Sequence, residues 1–362
     1  MSAGSGWEMG EARGRQGSCR RRLSLSLGRL QLDVPLLAAP IAGFTDRVLR
    51  GIVRDFGGCG LIFTEMVSAG GWVRGNIPPE RLRGVRQEPR PLGVQLWDRE
   101  PAMIEEAARR LADRGISVID LNFGCPKRRI MGKQGAGAVL LRDPATVGAL
   151  VAAAVRGGGG IPVTAKLRLG PSRSCLTAPE VARAAEENGA AAVTVHGRRA
   201  GESYAVPCDL DGIAEVVQAV SIPVIANGDV DGPAAAIRTL ERSGAAGLMV
   251  ARAALSRPWV FRDIACALRG EPVPPPPTLI EQRDLLLGHH GLLVAEEGDP
   301  RGTVLMRKFA CRCLFGVPGA RDFRAAISRA RDSADFRSIV ERLFPAGGAE
   351  RGGEHALARA GG

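Results

Sequence analysis

Short apolar runs recur between residues 36 and 250, and segments with helical spacing separate them. Each run is three to six residues long and lacks a helical period, so we predict buried strands. Strands that alternate with helices favour a parallel sheet with right-handed crossovers. The eight predicted strands span residues 36–40, 61–66, 92–96, 118–121, 163–167, 192–195, 224–226 and 247–250.

Eight strand–helix units match a closed (β/α)8 TIM barrel, typically ~250 residues long, better than an open doubly wound sheet. The glycine-rich fingerprint of a dinucleotide-binding fold is absent after the first strand, where APIAGFTD offers a single glycine. We therefore predict an α/β fold with a TIM barrel over residues 29–270. Helices are predicted at residues 46–56, 100–114, 144–156, 179–188, 210–220 and 232–243.

The segments on either side of the barrel differ from it in composition. Residues 1–28 and 346–362 are rich in Gly and Arg, and we predict that both are disordered. The sequence EPVPPPP at residues 271–277 predicts a stiff linker. Residues 278–345 have helical periodicity without clear strands, so we predict a small helical domain with segments at 279–295, 303–314, 321–330 and 333–343.

The formal net charge of +11 favours a polyanionic partner, because Lys and Arg side chains that neutralise phosphates release counterions. No apolar run approaches the ~18 residues of a membrane span, and no secretory signal is evident. We expect a cytoplasmic, monomeric protein that does not contact a membrane. The eight cysteines are scattered without zinc-site spacing, which predicts reduced thiols and no metal.

Polar residues follow seven of the eight predicted strands, at the ends where barrel enzymes form their active sites. Lys166 stands out, since it lies inside an apolar strand pattern and is one of four lysines in a chain with 45 arginines. An ammonium is more compact than a guanidinium, so such a lysine is a candidate for a site that requires it. The polar strand ends are Glu65, Gln95, Asn122 with Cys125, Lys166 with Arg168, His196, Asn227 with Asp229, and Arg252.

Cys125 follows the fourth predicted strand directly, in the sequence NFGCPKRR. Gly124 and Pro126 interrupt the strand and leave the thiol at its carboxyl end. A lone cysteine is often a packing residue, but the next dozen residues are basic and rich in glycine, which apolar packing does not require. Cys125 is therefore a candidate for chemistry.

The last two strand ends are the place where TIM barrels commonly bind a phosphate. Gly228 permits close approach of the backbone, and Arg252 can pair with a phosphate. Gln95 and Lys166 would then face a polar planar ring in the barrel mouth. Flavin mononucleotide (FMN) has this shape, with one phosphate and a ring that presents several donors and acceptors.

Several motifs of the chain resemble the tRNA-dihydrouridine synthase family, most closely its B type. They are AAPIAGFTDRVLR, LNFGCPKRRIMGKQGAGAVLLRDP, VTAKLRLG, VTVHGRRA, PVIANGDV and RAALSRPWVFRDI. The sequence GCP followed by the basic, glycine-rich loop is the most specific of these. MRKFACRCLFGVPGA also resembles the helical tail of the family.

The resemblance implies an enzyme that reduces the C5=C6 bond of particular uridines in tRNA to 5,6-dihydrouridine, with bound FMN and with NADPH as reductant. It also implies a catalytic barrel followed by a tRNA-binding helical domain at residues 278–345. Cys125 matches the proton donor of the family. The flavin-contacting positions correspond to Pro40, Ile41, Ala42, Gln95, Lys166, His196, Asn227, Gly228, Asp229, Ala251 and Arg252.

The chemistry of this reaction suits a thiol. Hydride from the reduced flavin adds to C6 of uracil, and C5 then takes a proton from a general acid, here Cys125. An ordinary thiol, with a pKa of about 8.5, holds that proton at neutral pH. The target uridine is expected to be flipped out of the folded tRNA. We assign Asn122 to the uracil edge, Lys127 and Arg128 to RNA phosphates, and Arg168 to the substrate.

Two other functions are compatible with parts of the sequence. A flavin-dependent reductase of small molecules, of the dihydroorotate or enoate type, shares the barrel and the cofactor, but the basic GCPKRR loop and the helical tail argue against it. A tRNA-binding protein that has lost its flavin and is not an enzyme finds support only in Ala251, where the family usually has glycine.

Overall fold

The computed structural model describes residues 23–76, 82–172, 174–313 and 320–344. Within these ranges the parallel strands close into a barrel of eight positions, which confirms the predicted TIM-barrel fold. The strands are β1 (Leu25–Leu27), β2 (Leu30–Leu32), β3 (Leu36–Ala38), β4 (Leu61–Phe63), β5 (Val67–Ser68), β6 (Leu92–Trp97), β7 (Val118–Asn122), β8 (Val163–Arg168), β9 (Ala192–His196), β10 (Val224–Asn227) and β11 (Gly247–Val250).

The barrel closes where β11 pairs with β3, in the register Leu248 with Leu36. β4 and the short β5 together form one of the eight positions of the barrel, and both pair with β6. Because all neighbouring barrel strands are parallel, their carboxyl ends meet at one end of the barrel. This geometry gathers the polar strand ends predicted from the sequence.

Each predicted barrel helix begins and ends within two residues of its expected bounds. Local signals explain this agreement, because α3, α4, α5 and α7 carry proline in the first turn and α1 is capped by the Asp46 carboxylate. The helices of the barrel are α1 (Arg47–Phe56), α2 (Ala69–Val73), α3 (Pro101–Ala112), α4 (Pro144–Gly157), α5 (Ala178–Glu187), α6 (Leu210–Ala219), α7 (Pro233–Ser243), α8 (Arg252–Ser256) and α9 (Val260–Leu268).

The antiparallel hairpin of β1 and β2 differs from the prediction that residues 1–28 are disordered. Leu25, Leu27 and Leu32 are buried against residues near the amino-terminal ends of the barrel strands, such as Val118 and Ala192. The hairpin therefore covers the amino-terminal end of the barrel with apolar side chains, which explains its order. Residues 1–22 and 346–362 lie outside the described residues.

The carboxyl-terminal segment is helical, as predicted, and packs on the barrel. Its helices are α10 (Leu279–Glu297), α11 (Arg301–Cys313), α12 (Ala320–Ile327) and α13 (Ser333–Leu343). Thr278 and Glu281 form a capping box at the start of α10, immediately after the proline-rich segment. Among the described residues, no helix combines the length and the apolar character needed to cross a membrane.

Candidate active site

A cavity of about 1020 Å³ opens at the carboxyl-terminal ends of the barrel strands. This volume lies at the upper end of the range for ligand pockets, ~300–1,000 Å³. Of the predicted site residues, Arg128 alone is outside the cavity lining, and it lies exposed on the following loop. The predicted residues that line the cavity are Pro40, Ile41, Ala42, Gln95, Asn122, Cys125, Lys127, Lys166, Arg168, His196, Asn227, Gly228, Asp229, Ala251 and Arg252.

Cys125 is half-buried on the loop that leaves β7, and hydrogen bonds fix this loop on both sides of the cysteine. The Asn122 carboxamide oxygen accepts the N–H groups of Gly124 and Cys125, at 3.1 and 2.9 Å. The carbonyl of Cys125 accepts the N–H of Ala138 at 3.1 Å. Gly137 has φ +67°, and a Cβ there would lie 2.7 Å from that carbonyl oxygen. Glycine at 137 is therefore required for the loop to close against Cys125.

Gln95 and Asp120 form a polar layer beneath the cavity, and both are almost completely buried. Gln95 donates from Nε2 to the Asp120 carboxylate at 2.6 Å and accepts from Asn122 Nδ2 at 2.7 Å. Thr164 donates to the other Asp120 oxygen at 2.7 Å. Burial raises the pKa of Asp120 to about 6, while the hydrogen bonds from Gln95 and Thr164 and the charge of Lys166 act in the opposite direction.

Lys166 crosses the cavity floor from β8 towards β10. Its ammonium donates to Asn227 Oδ1 at 2.8 Å, and Asn227 in turn donates from Nδ2 to the carbonyl of Met249 at 2.8 Å. Burial, reinforced by the charge of Arg168, lowers the pKa of Lys166 to about 8. The lysine is therefore still mostly a cation at neutral pH, with its charge held at one place by a fixed amide.

His196 ends β9 beside Arg198, whose side chain is only 1% exposed. Arg198 Nη1 lies 3.2 Å from His196 Nε2. A guanidinium only donates, so Nε2 accepts and the ring proton is on Nδ1. Burial, together with the nearby cations Lys166 and Arg168, lowers the pKa of His196 to about 2. His196 is thus a neutral imidazole with one defined tautomer.

Asp229 connects the β10 and β11 ends of the cavity. It has φ +51°, a left-handed conformation that aspartate tolerates better than most residues. Its carboxylate accepts from Arg198 at 2.5 Å, from Arg252 at 2.8 Å and from the N–H of Cys208 at 3.0 Å. Asp229 therefore orients Arg252 from the protein side, and among the described residues it is the only hydrogen-bond partner of that guanidinium.

Close packing requires glycine at position 228. A Cβ at this position would lie 2.7 Å from the Cys208 sulfur and 2.9 Å from His196 Cδ2, and its φ is +119°. The glycine therefore permits β10 to turn past His196, whether or not a ligand also approaches its backbone.

The helical tail contributes a further wall of the cavity through Cys311, Arg312 and Arg324. In the described parts of the chain, neither arginine has a carboxylate within ion-pair distance. The cavity lining as a whole holds seven Lys and Arg side chains and two Asp side chains. The site is therefore strongly basic. No group of three or more His, Cys, Asp or Glu residues suited to a metal ion occurs within the described ranges.

The family model described as dihydrouridine synthase (Dus) matches residues 36–345. The chain belongs to the dihydrouridine synthase family. It is 40% identical to a Pseudomonas aeruginosa protein named tRNA-dihydrouridine synthase B, over 321 residues that cover 88% of this chain and 95% of the relative. It is 38% identical to a Rhodobacter capsulatus protein named probable tRNA-dihydrouridine synthase, over 328 residues that cover 89% of this chain and 98% of the relative. The resemblance noted in the sequence is thereby confirmed.

Sequence reasoning missed several residues of this dihydrouridine synthase family site. Asp120 lies within the predicted strand at residues 118–121 and is not among the predicted site residues, although a charged residue inside an apolar run is the signal that singles out Lys166. Arg198, two positions after His196, is also absent from the predicted site residues. Arg312 and Arg324 carry no local signal, because only the docking of the tail brings them to the cavity.

Proposed function

We propose that this protein reduces the C5=C6 bond of particular uridines in tRNA, with FMN as its bound cofactor and NADPH as the reductant. The half-buried thiol of Cys125 carries the proposal, since it lines a large basic cavity at the end of a barrel of the dihydrouridine synthase family. A thiol there can deliver a proton to a ring that enters the cavity.

The residues around the cavity fit a flavin mononucleotide. Gln95, Lys166 and the Nδ1–H of neutral His196 offer donors for the acceptors of the ring. Arg252, held by Asp229 at the start of α8, offers a cation for the phosphate. When bound, the flavin supplies the hydride that adds to C6 of uracil.

In this proposal the protein positions uracil and supplies the second hydrogen. Cys125 donates its proton to C5 on a loop that Asn122 holds in place. Arg168 donates from Nε to the carbonyl of Gly124 at 2.8 Å and so supports the same loop. The assignments of Asn122, Lys127, Arg128 and Arg168 to the substrate remain predictions.

A tRNA substrate accounts for the charge of the cavity and for the contribution of the tail. The target nucleotide must leave the RNA stack to reach a site at the mouth of a barrel. The exposed Lys127 and Arg128 follow Cys125, while Arg312 and Arg324 approach the cavity from the tail. Phosphates on both sides of a flipped nucleotide would then meet cations. Such a substrate implies a cytoplasmic location.

Reoxidation of the flavin tests this function. Purified protein is expected to be yellow, and its NADPH-reduced flavin should be reoxidised rapidly by tRNA that lacks dihydrouridine, under anaerobic conditions in a stopped-flow absorbance experiment. Orotate and free uridine should not accelerate reoxidation. Rapid reoxidation by orotate and none by tRNA would instead identify a small-molecule reductase.

The variant Cys125→Ala separates the thiol from the rest of the site. It should bind flavin and tRNA but form at least about a hundredfold less dihydrouridine, because the general acid is lost. Cys266→Ala serves as the matched control, since Cys266 is half-buried in α9 and does not line the cavity. Equal product formation by Cys125→Ala and wild type would remove Cys125 from the mechanism.

A further inference from the structure

Three side chains form a continuous hydrogen-bonded path from the barrel interior to the catalytic loop. Asp120 lies in the middle of β7 and is fully buried. Its carboxylate accepts from Gln95 Nε2 at 2.6 Å, and Gln95 Oε1 accepts from Asn122 Nδ2 at 2.7 Å. Asn122 Oδ1 accepts the N–H of Cys125 at 2.9 Å. We call Asp120, Gln95 and Asn122 the Asp120 relay.

The carboxylate at one end of the Asp120 relay and the N–H groups of Gly124 and Cys125 at the other end require the same direction for every hydrogen bond. An ionised carboxylate only accepts, whereas a primary amide accepts at its oxygen and donates at its nitrogen. Asp120 therefore requires the nitrogen of Gln95, which leaves the oxygen of Gln95 for the nitrogen of Asn122. The oxygen of Asn122 is then presented to the backbone N–H of Cys125.

We propose that Asp120 is a positioning residue for Cys125, because its carboxylate anchors the buried end of the relay and holds both amides in the orientation that the Cys125 loop requires. The catalytic part of this inference rests on the proposed role of Cys125 as the proton donor. A reversed Asn122 amide would place its NH2 group against the N–H of Cys125, where two donors repel each other. The loop would then have to move.

Thr164 provides a matched control for Asp120. It donates to the carboxylate oxygen that Gln95 does not use. Thr164→Val thus removes one hydrogen bond from the same buried carboxylate. Gln95 must still donate from Nε2 to this carboxylate in the variant. A merely structural role of Asp120 would make Asp120→Asn and Thr164→Val alike, whereas the relay makes them differ.

The test measures the reactivity of Cys125 and its turnover separately. The full-length protein is treated with iodoacetamide at pH 7.5, and the alkylation rate of the Cys125 peptide is followed by mass spectrometry. Asp120→Asn should change this rate severalfold and lower kcat for tRNA by about tenfold or more, with KM unchanged. Thr164→Val should leave the Cys125 alkylation rate and kcat as in wild type, even where both variants lower the melting temperature.

A second variant keeps the inference testable if Asp120→Asn does not fold. Gln95→Met cuts the relay in its middle with a side chain of similar size. It should change the Cys125 alkylation rate in the same direction, and the double variant should have no larger effect than either single variant, because both act through one path. An alkylation rate that stays at the wild-type value in the folded variants would overturn the proposal. Because alkylation requires neither flavin nor tRNA, this result is independent of whether the proposed reaction is correct.

Discussion

Burial in the barrel mouth lowers the pKa values of His196 and Lys166, and these shifts determine the charge of each side chain near neutral pH. His196 stays neutral at any physiological pH, and Arg198 determines which of its nitrogens carries the proton. Lys166 is different, since its lowered pKa of about 8 lies just above neutrality. The cation on the cavity floor is therefore lost within an accessible pH range.

We expect flavin affinity to fall as the pH rises through about 8. Below this pKa Lys166 is an ammonium that can donate a charge-assisted hydrogen bond to the cofactor, and above it the amine is neutral. The loss should weaken binding by about tenfold, as expected for a hydrogen bond from a charged donor. Titration of flavin-free protein with FMN, followed by fluorescence quenching between pH 6.5 and 9.5, measures this dependence.

Lys166→Met is the control for the pH dependence. Its flavin affinity should be weak at all pH values and should not change through pH 8. A wild-type affinity that is constant over the same range would show that the ammonium of Lys166 does not bind the cofactor.

Among the elements, the loop between β3 and α1 and the helix α11 form one of the contacts between the tail and the barrel. Lys308 of α11 donates to the carbonyl of Gly43. Its ammonium also lies 5.3 Å from the ring centre of Phe44 and 5.0 Å from that of Phe309. The two rings meet edge to face, 5.4 Å apart. One lysine thus joins the two parts of the molecule next to the cavity entrance.

Lys308→Met should loosen this contact. The lost hydrogen bond and cation–π contacts are expected to lower the free energy of unfolding by about 1 kcal/mol, because the lysine is partly exposed. We expect a lower melting temperature and a higher KM for tRNA, with flavin affinity unchanged. Thermal denaturation and steady-state kinetics measure these quantities.

Arg301→Met provides the comparison for Lys308, since Arg301 is an exposed cation at the start of the same helix. It should have little effect on either quantity. If Lys308→Met leaves both the melting temperature and the KM for tRNA at their wild-type values, the contact with Gly43 does not position the tail.

At the scale of the whole molecule, the basic cavity belongs to both parts of the chain. The barrel supplies most of the lining cations, and α11 and α12 add Arg312 and Arg324. Arg312 also lies 4.8 Å above the ring of Phe44, so the contact that docks the tail also places this charge. A polyanion that spans barrel and tail would meet cations from both parts of the chain.

The salt dependence of tRNA binding tests this surface. Each phosphate contact contributes about 1 to the slope of log K against log salt concentration, because counterions are released. Replacing Arg312 and Arg324 together by Gln should therefore reduce the slope by up to about 2 and weaken binding at low salt. Filter binding or fluorescence anisotropy over a series of KCl concentrations gives the slope.

Arg242→Gln is a suitable control for the salt experiment. Arg242 is exposed on α7 and paired with Asp211 at 2.6 Å, away from the cavity. Its replacement should not change the slope. The same slope for the double variant and for wild type would exclude Arg312 and Arg324 from the tRNA contact.

The amino-acid sequence by itself determined the barrel and identified many of the residues that line its cavity. Alternating apolar runs and helix-start signals are local, so the bounds of the six predicted barrel helices agree with the structure within two residues, whereas the helices α2, α8 and α9 were not predicted. All strands of a parallel barrel run in the same direction, so their carboxyl ends lie at one end of the barrel. Residues at these ends, such as Lys166 and Asn227, could therefore be grouped without coordinates. It could not be predicted that the β1–β2 hairpin is folded, because its folding depends on apolar contacts with strands that are distant in the sequence.

Only the tertiary structure decided how the residues of the site act on one another. Asp120 became important through Gln95, which is 25 positions away in the chain, and Arg198 through Asp229, which is 31 positions away. Arg312 and Arg324 reached the cavity only through the docking of the tail. Hydrogen-bond direction and burial depend on such distant partners, and the spacing of residues along one chain does not encode them.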